Sequence, residues 1–360
     1  MTDTLNLTEL ERPALEAALA SQGHDRFRAR QIFGWLYRRG VSDIDAMTNL
    51  PRELRAALAS RFTLTTPHVV SRERSSDGTE KFLLQLADPR QIEAVFIPDT
   101  PANTFCVSTQ VGCAMACAFC LTGKMGLVRN LTAGEIVGQV RVLADALGLR
   151  DKPFNIVLMG MGEPLHNYDE TMKALRILAD EEGLAVPPRR VTLSTVGLLP
   201  AVERLAREPI MPNLAISLHA PTDLQRGQLV PLNRKYGIAD IIEACKRFPL
   251  KKRARITFEY VLLAGVNDRP EDAKKLAKLL TGVKSKVNLI PLNAAPGIPF
   301  ERPSDESIDR FAKFLADSGL TVSVRKSRGR DIRAACGQLI VEGQRPSPAQ
   351  QLATAAFDHS

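Results

Sequence analysis

No run of about 18 uninterrupted apolar residues occurs in this 360-residue chain, so nothing in it reads as a membrane-spanning helix. Its start, Met1-Thr-Asp-Thr-Leu5, has neither the basic residues nor the apolar run of a secretory leader. A cytoplasmic protein is expected. Cysteine is scarce: there are six, three of them within eight residues, which excludes a disulfide-braced scaffold and suits a reducing compartment. No repeat of fixed period is visible, and no low-complexity block beyond the polar tail Gly343 to Ser360.

What the chain does have is apolar material and positive charge. At 44% hydrophobic and 24% charged it can bury a large core, and one large domain with an appendage is expected. A net charge of +8, with a pI near 9.3, suggests a polyanionic partner, because nucleic-acid binding begins with neutralising phosphates. Solvated arginines on an ordinary basic protein give the same excess.

Chemistry concentrates in Cys113-Ala-Met-Ala-Cys117-Ala-Phe119-Cys120. Thiolate is the soft ligand that iron–sulfur clusters and zinc both select, and these gaps let one tight loop aim three sulfurs at one centre. A structural zinc closes its tetrahedron with four protein ligands, whereas a cubane held by three thiolates keeps one iron for a substrate or cofactor. His219, in Ala215-Ile-Ser-Leu-His219, is the spare ligand a zinc site needs, yet it is equally suited to packing at a strand end. Free thiols are the third reading.

The order of elements follows from periodicity. Leu5 to Ser21 reads as an amphipathic helix, Phe27 to Gly40 as a second and Pro51 to Arg61 as a third, together a small helical module with a basic face. Lys81–Leu86 and Gln91–Ile97 read as a β-hairpin. From Thr104 onward, apolar runs at 104–109, 155–159, 191–195, 214–218, 256–262 and 287–290 alternate with helical patterns, one opened by a capping-box candidate at Thr132-Ala-Gly-Glu135. About six βα units predict an α/β fold with a parallel barrel, or part of one, whose chemistry lies at the carboxyl ends of the strands. The expected divisions are 1–65 for the helical module, 66–102 for the β extension, 103–345 for the core and 346–360 for the tail.

Polar residues do stand at those strand ends. Gly160-Met161-Gly162-Glu163 follows an apolar strand, clearing side chains for a ligand and offering one carboxylate to an ammonium group, though a simple strand-ending turn has the same look. Ser194 and Asn293 offer neutral hydrogen bonds or ordinary caps. Cys336 follows a last strand, Thr321–Val324, and a basic loop, Arg325 to Arg330, whose cations favour a thiolate. Cys106 sits in the first barrel strand. Buried and inert is the ordinary fate of such cysteines, and Cys245 is assigned to it.

The Cys-x3-Cys-x2-Cys spacing, with Phe119 before its last cysteine, resembles the signature of radical S-adenosylmethionine (SAM) enzymes. More closely, Thr109–Cys113 through Arg129-Asn130-Leu131, Met159–Pro164, Arg190–Thr195, Ile216–Pro221, Leu289–Asn293 and Ala335–Leu339 resemble the bacterial rRNA adenine carbon-2 methyltransferases, as does Phe27–Phe33 with Trp35. Leu127 departs, standing where that family more often has phenylalanine. The resemblance implies a partial (β/α)6 TIM-like barrel, with a 4Fe-4S cluster on Cys113, Cys117 and Cys120. It implies SAM, two per turnover, held by Gly162, Glu163, Ser194, Ser217, Leu218, His219 and Asn293. Cys336 would carry a methyl group, Cys106 would release the base by forming a disulfide with Cys336, and Glu93 would accept a proton. The implied substrates are 23S rRNA and tRNA, with an electron donor such as flavodoxin and a monomer as the working state. Phosphate contacts are expected among Arg28, Arg30, Arg38, Arg39, Lys251, Lys252, Arg253, Arg325, Lys326 and Arg328. Two alternatives stay open: the related carbon-8 methyltransferase type, which carries the same cysteines, and a zinc-stabilised RNA-binding module without catalysis.

Overall fold

The structure, a computed structural model, describes residues 5–98 and 102–344, so the tail expected at 346–360 lies outside the described residues. The leucine pattern from Leu5 to Ser21 does not make one helix. The chain runs as a short strand, β1 (Leu5–Asn6), then a single 3-10 turn (Leu7–Glu9), then helix α1 (Arg12–Ala20), which carries Pro13 in its first turn, where a missing N–H costs nothing. Helix α2 (Arg28–Phe33) passes into a π-type turn (Gly34–Arg38) that buries Trp35, Leu36 and Tyr37, and α3 (Arg52–Arg61) leads into β2 (Phe62–Thr63), which pairs in parallel with β1.

The predicted hairpin is present and gains a third strand. β3 (His68–Arg74), β4 (Glu80–Gln85) and β5 (Gln91–Ile97) are antiparallel neighbours, and β5 pairs antiparallel with β6 (Thr104–Cys106). All of β3 is exposed, and its charged residues suit the free edge of a sheet. A separate two-stranded sheet, β7 (Gln110–Cys113) with β8 (Gly126–Asn130), flanks the cysteine loop and encloses α4 (Leu121–Met125).

The main sheet continues through β9 (Asn155–Leu158), β10 (Val191–Thr195), β11 (Asn213–Ser217), β12 (Ile256–Leu262), β13 (Ser285–Pro291) and β14 (Thr321–Val324), in the order β14-β13-β12-β11-β10-β9-β6-β5-β4-β3. From β6 to β14 every pairing is parallel, so the expected partial barrel is carried one strand further by β14. Residues of β5, β6 and β14 line one shared cavity, which shows that the open sheet curls around an interior. The connecting helices are α5 (Ala133–Ala146), α6 (Tyr168–Ala179), α7 (Leu199–Leu205), α8 (Asp223–Leu229), α9 (Ile238–Arg247), α10 (Pro270–Leu279) and α11 (Asp305–Asp317). Thr132 and Glu135 form the reciprocal capping box at the start of α5, at 3.2 and 3.0 Å. Glu9 reaches the same helix start, accepting from Gly134 N at 2.9 Å, and with the Arg12–Asp180 and Arg176–Glu11 ion pairs it fastens the helical module to the barrel.

Candidate active site

At the carboxyl end of β6, Ser108 locks three segments together. Its hydroxyl donates to Glu93 O at 2.7 Å and accepts from Met161 N at 2.8 Å, while its backbone exchanges two hydrogen bonds with the Gln139 amide. The chain then enters β7, where Gly112 has φ +77° and a Cβ would stand 1.9 Å from Gly126 O, so only glycine allows β8 this close. Gln110 Oε1 accepts from Glu163 N at 2.9 Å, tying the cysteine strand to the Gly-Met-Gly-Glu turn. At Gly162 (φ +106°) a Cβ would collide with Gln110 at 2.7 Å.

These strand ends surround one chamber. It is lined by Cys113, Cys117, Cys120, Gly162, Glu163, Ser194, Ser217, His219, Asn293 and Cys336. None of the three loop cysteines is in a disulfide, and burial followed by their mutual repulsion pushes Cys113 and Cys117 far up, a repulsion that a cationic metal centre removes by taking both as thiolates. Among the described residues no three His, Cys, Asp or Glu side chains are close enough to hold a single ion; the three cysteines are joined by the chamber they border. Below them Arg226, fully buried, donates to Leu218 O, Val196 O, Ser217 O and Asn233 Oδ1, bracing the floor.

The donor set fits the implied groups. Glu163 accepts from Leu165 N at 3.0 Å and Val196 N at 2.9 Å, and burial raises its carboxyl to about 7. A bound ammonium is the partner that such a carboxylate suits. Asn293 Oδ1 is buried on the chamber wall without a hydrogen-bond partner among the described residues, which suits a donor on a ligand. Ser194 and Ser217 lie hydroxyl to hydroxyl at 3.3 Å. His219 takes φ +62°, accepts at Nδ1 from Val261 N at 3.0 Å and meets the Phe119 ring edge-on at 4.7 Å, and burial holds it neutral, down to about 3. Nδ1 being committed, the imidazole presents Nε2–H. The Leu218 side chain does not join them, since it is wholly buried away from the chamber.

Cys336 rides on a segment held from several sides. Asp331 accepts from Ser75 Oγ at 2.5 Å, Asp77 from Gly329 N at 3.0 Å, Gly337 O from Leu121 N at 2.8 Å, and Leu339 O from Thr122 Oγ1 at 2.6 Å. Cys106 lies outside the chamber lining but adjoins Cys336; burial first, and then that neighbour, push its thiol up to about 12. Glu93 is two residues from Val95, the direct partner of Cys106, so alternation puts Glu93 on the same sheet face. Its Oε1 pairs with Lys81 Nζ at 3.2 Å and its Oε2 accepts from Ile340 N at 2.8 Å, and burial raises its carboxyl against the pull of Lys81.

Sequence reasoning missed four groups here: Lys81, Arg226, Glu259 and the inward role of Arg325. The Arg325 guanidinium bonds Cys336 and neighbours Glu259 and Cys106, and the Cys336 sulfur above all holds it protonated. It therefore leaves the set of expected phosphate contacts. Arg38 stays exposed, though it donates to Glu181 O and Gly183 O and faces Glu182 at 3.8 Å. Arg28 lies over Phe27 and Arg39 over Trp35, at 4.5 and 4.1 Å, whereas Arg30, Lys251, Lys252, Arg253 and Lys326 are exposed. Arg328 donates to Asp77 O at 3.2 Å.

Known proteins share these features. Residues 107–280 match the family model of the radical SAM superfamily, and residues 5–64 match that of the ribosomal RNA large subunit methyltransferase N-terminal domain. The dual-specificity RNA methyltransferase RlmN of Anaeromyxobacter dehalogenans is 47% identical, covering 98% of this chain and 96% of that protein. Its Geobacter sulfurreducens counterpart is 49% identical over 94% and 93%. A crystal structure of a radical SAM methyltransferase from Sphaerobacter thermophilus superposes with a TM-score of 0.89 at 51% identity, over 93% of this chain and 99% of that one.

Proposed function

We propose, for a chain that belongs to the RlmN family of radical SAM RNA methyltransferases, that it methylates carbon 2 of an adenine in 23S rRNA and in tRNA by way of a methyl group carried on Cys336. One observation carries this reading: the three loop cysteines, the buried Glu163 and the separate thiol of Cys336 border the same chamber. Carbon 2 is electron-poor and has no lone pair, so polar methyl transfer to it fails. Held by Cys113, Cys117 and Cys120, a 4Fe-4S cluster with bound SAM supplies the one-electron chemistry that avoids this barrier.

The residues divide the remaining work. Glu163 holds the cofactor ammonium, Gly162 lets the cofactor approach the backbone, and Ser194, Ser217, Asn293 and the backbone of Leu218 and His219 position its ribose and carboxylate. Cys336, as thiolate, is the nucleophile that would take a methyl group from one SAM, the sulfonium bond breaking as the new carbon–sulfur bond forms, and the same chamber would hold the SAM that serves to activate that methyl. After the methyl carbon has joined carbon 2, Cys106 attacks the Cys336 sulfur: the disulfide forms, the bond between that sulfur and the methylene breaks with its electron pair passing to the base, and the methylene carbon takes a proton to become the methyl group before the base leaves. Arg325, beside both sulfurs, favours the thiolate that Cys106 needs. Glu93 accepts the carbon-2 proton, a role its raised proton affinity supports, with Lys81 and Ile340 N fixing its position.

Mass spectrometry of rRNA from cells with and without the protein tests the reading. A methyl on carbon 2 is expected; one on carbon 8 would assign the chain to the related resistance-conferring chemistry. Cys336→Ala should abolish methylation, whereas Cys106→Ala should trap protein covalently joined to RNA. Normal turnover by the Cys106 variant removes the resolving role.

A further inference from the structure

Beneath the chamber the barrel is not filled. Complete βα barrels pack their interior with branched apolar side chains. Here Asn155, Thr192, Asn213 and Thr257, at or next to the first positions of their strands, border a second cavity that opens at the amino ends of the sheet. Its lining carries six cations and, among the described residues, one carboxylate, Glu259. Arg189, Lys286 and Lys326 are exposed on it and, among the described residues, make no ion pair, whereas Arg12, Arg72, Arg129, Arg176 and Arg204 elsewhere each hold an acid. What sets this rim apart is not the lack of ion pairs, which Arg30 and Lys251 share, but six cations gathered on one opening with a single carboxylate.

The two cavities touch. Met159, Glu259 and Arg325 line both, so the lower opening leads to the group that bonds Cys336. Thr257 to Glu259 is two residues of extended strand, roughly 7 Å, a depth that one extruded nucleotide can span. An adenine methylated at a buried thiol has to leave its stack, and its flanking phosphates then remain at the rim.

We infer that RNA docks on this amino-end opening and not on the basic face of the helical module, with Arg189, Lys286 and Lys326 holding phosphates while the target nucleotide passes inward between polar strand residues. The inference rests on the RNA-methylating reading above and adds where the strand lies. Charge complementarity favours it through the surplus of cations over carboxylates at this rim.

The test is the affinity of the full-length protein for a 23S rRNA fragment across a salt series. Because Arg189 and Lys286 are exposed, the double variant R189E/K286E should keep the wild-type unfolding midpoint, and the milder R189Q/K286Q checks for any distortion by the acids. Binding should weaken about tenfold or more, and log affinity should fall less steeply with log salt, by about 0.7–0.9 for each phosphate no longer neutralised. R30E on the helical module should change affinity by less than about threefold. Binding by R189E/K286E within about twofold of wild type, or a larger loss in R30E, overturns the placement. Modification is read separately: if the wild-type protein leaves the fragment unmethylated, the functional reading falls, whereas a methylating protein whose rim variants bind normally sinks only the docking site.

Discussion

The two ends of the barrel are built on opposite principles. At the carboxyl ends nearly every polar group is buried and paired: Ser108, Gln139, Glu163 and Arg226 each hold two or more partners, and the thiols stand in an apolar wall. At the amino ends the cavity rim carries Arg189, Lys286 and Lys326, exposed and, among the described residues, in no ion pair. Buried, satisfied networks fix geometry and fail expensively, whereas exposed charges fix nothing in the fold and are free to meet a ligand. Substitution should therefore cost stability at one end and binding at the other.

The largest contrast is expected from Arg226→Met. Removing the guanidinium strands Leu218 O, Val196 O, Ser217 O and Asn233 Oδ1, and each buried acceptor left without a donor costs about 1–3 kcal/mol. A clear drop in the urea unfolding midpoint checks it. If Arg226→Met is as stable as wild type, the claim that the chamber floor is rigid because its acceptors are satisfied is wrong.

Glu163→Gln probes the same end through the ligand. Losing a charged hydrogen-bond partner should weaken cofactor binding by about 1.5–3 kcal/mol, roughly 10- to 100-fold. The pH dependence has a definite sign. Burial raises the Glu163 carboxyl to about 7, so the anion that an ammonium needs is present above that pH and is lost as pH falls through it. The cofactor α-amino group loses its charge near pH 8, which makes wild-type affinity peak between these limits. Calorimetric titration across this range should show an acid limb in the wild type and none in Glu163→Gln. A persistent acid limb in the variant would assign it to another group.

How far these two ends could be read in advance differs for a physical reason. The six barrel strands and the cysteine loop were legible because a buried parallel strand is a short apolar run and a three-thiol loop has few other uses. Gly162, Glu163, Ser194, His219 and Asn293 were legible because they sit at the ends of such runs. Strand β3 was not, since an exposed edge such as His68–Arg74 has no apolar alternation, and β7 with β8 was hidden because its pairing depends on the close approach at Gly112. Leu5 to Ser21 misled, its leucines being shared among a strand, a turn and a helix. Arg226, Glu259 and Arg325 were invisible as site residues because nothing local separates a buried arginine or glutamate from a solvated one; only packing decides. The lower opening likewise combines Arg189, Lys286 and Lys326 from three distant segments.

The smallest effect belongs to Thr132→Ala, and it tests whether the helical module acts through the upper end. Thr132 Oγ1 accepts from Glu135 N as the cap of α5 and donates to Glu9 Oε1 at 2.5 Å, so one hydroxyl both caps a barrel helix and fastens the module to it. Loss of such a cap costs about 1 kcal/mol. Glu135 and Glu170 still accept from Thr132 N and Ala133 N at 3.0 and 2.7 Å, so the helix start keeps two of its acids and the loss should stay near that figure. Stability should therefore fall slightly in denaturant while RNA affinity holds within about twofold, since a phosphate grip at the amino-end rim does not pass through this contact. An RNA affinity that fell with the cap would mean that the module's position matters to the substrate, and the division of labour between the two ends would have to include a third surface.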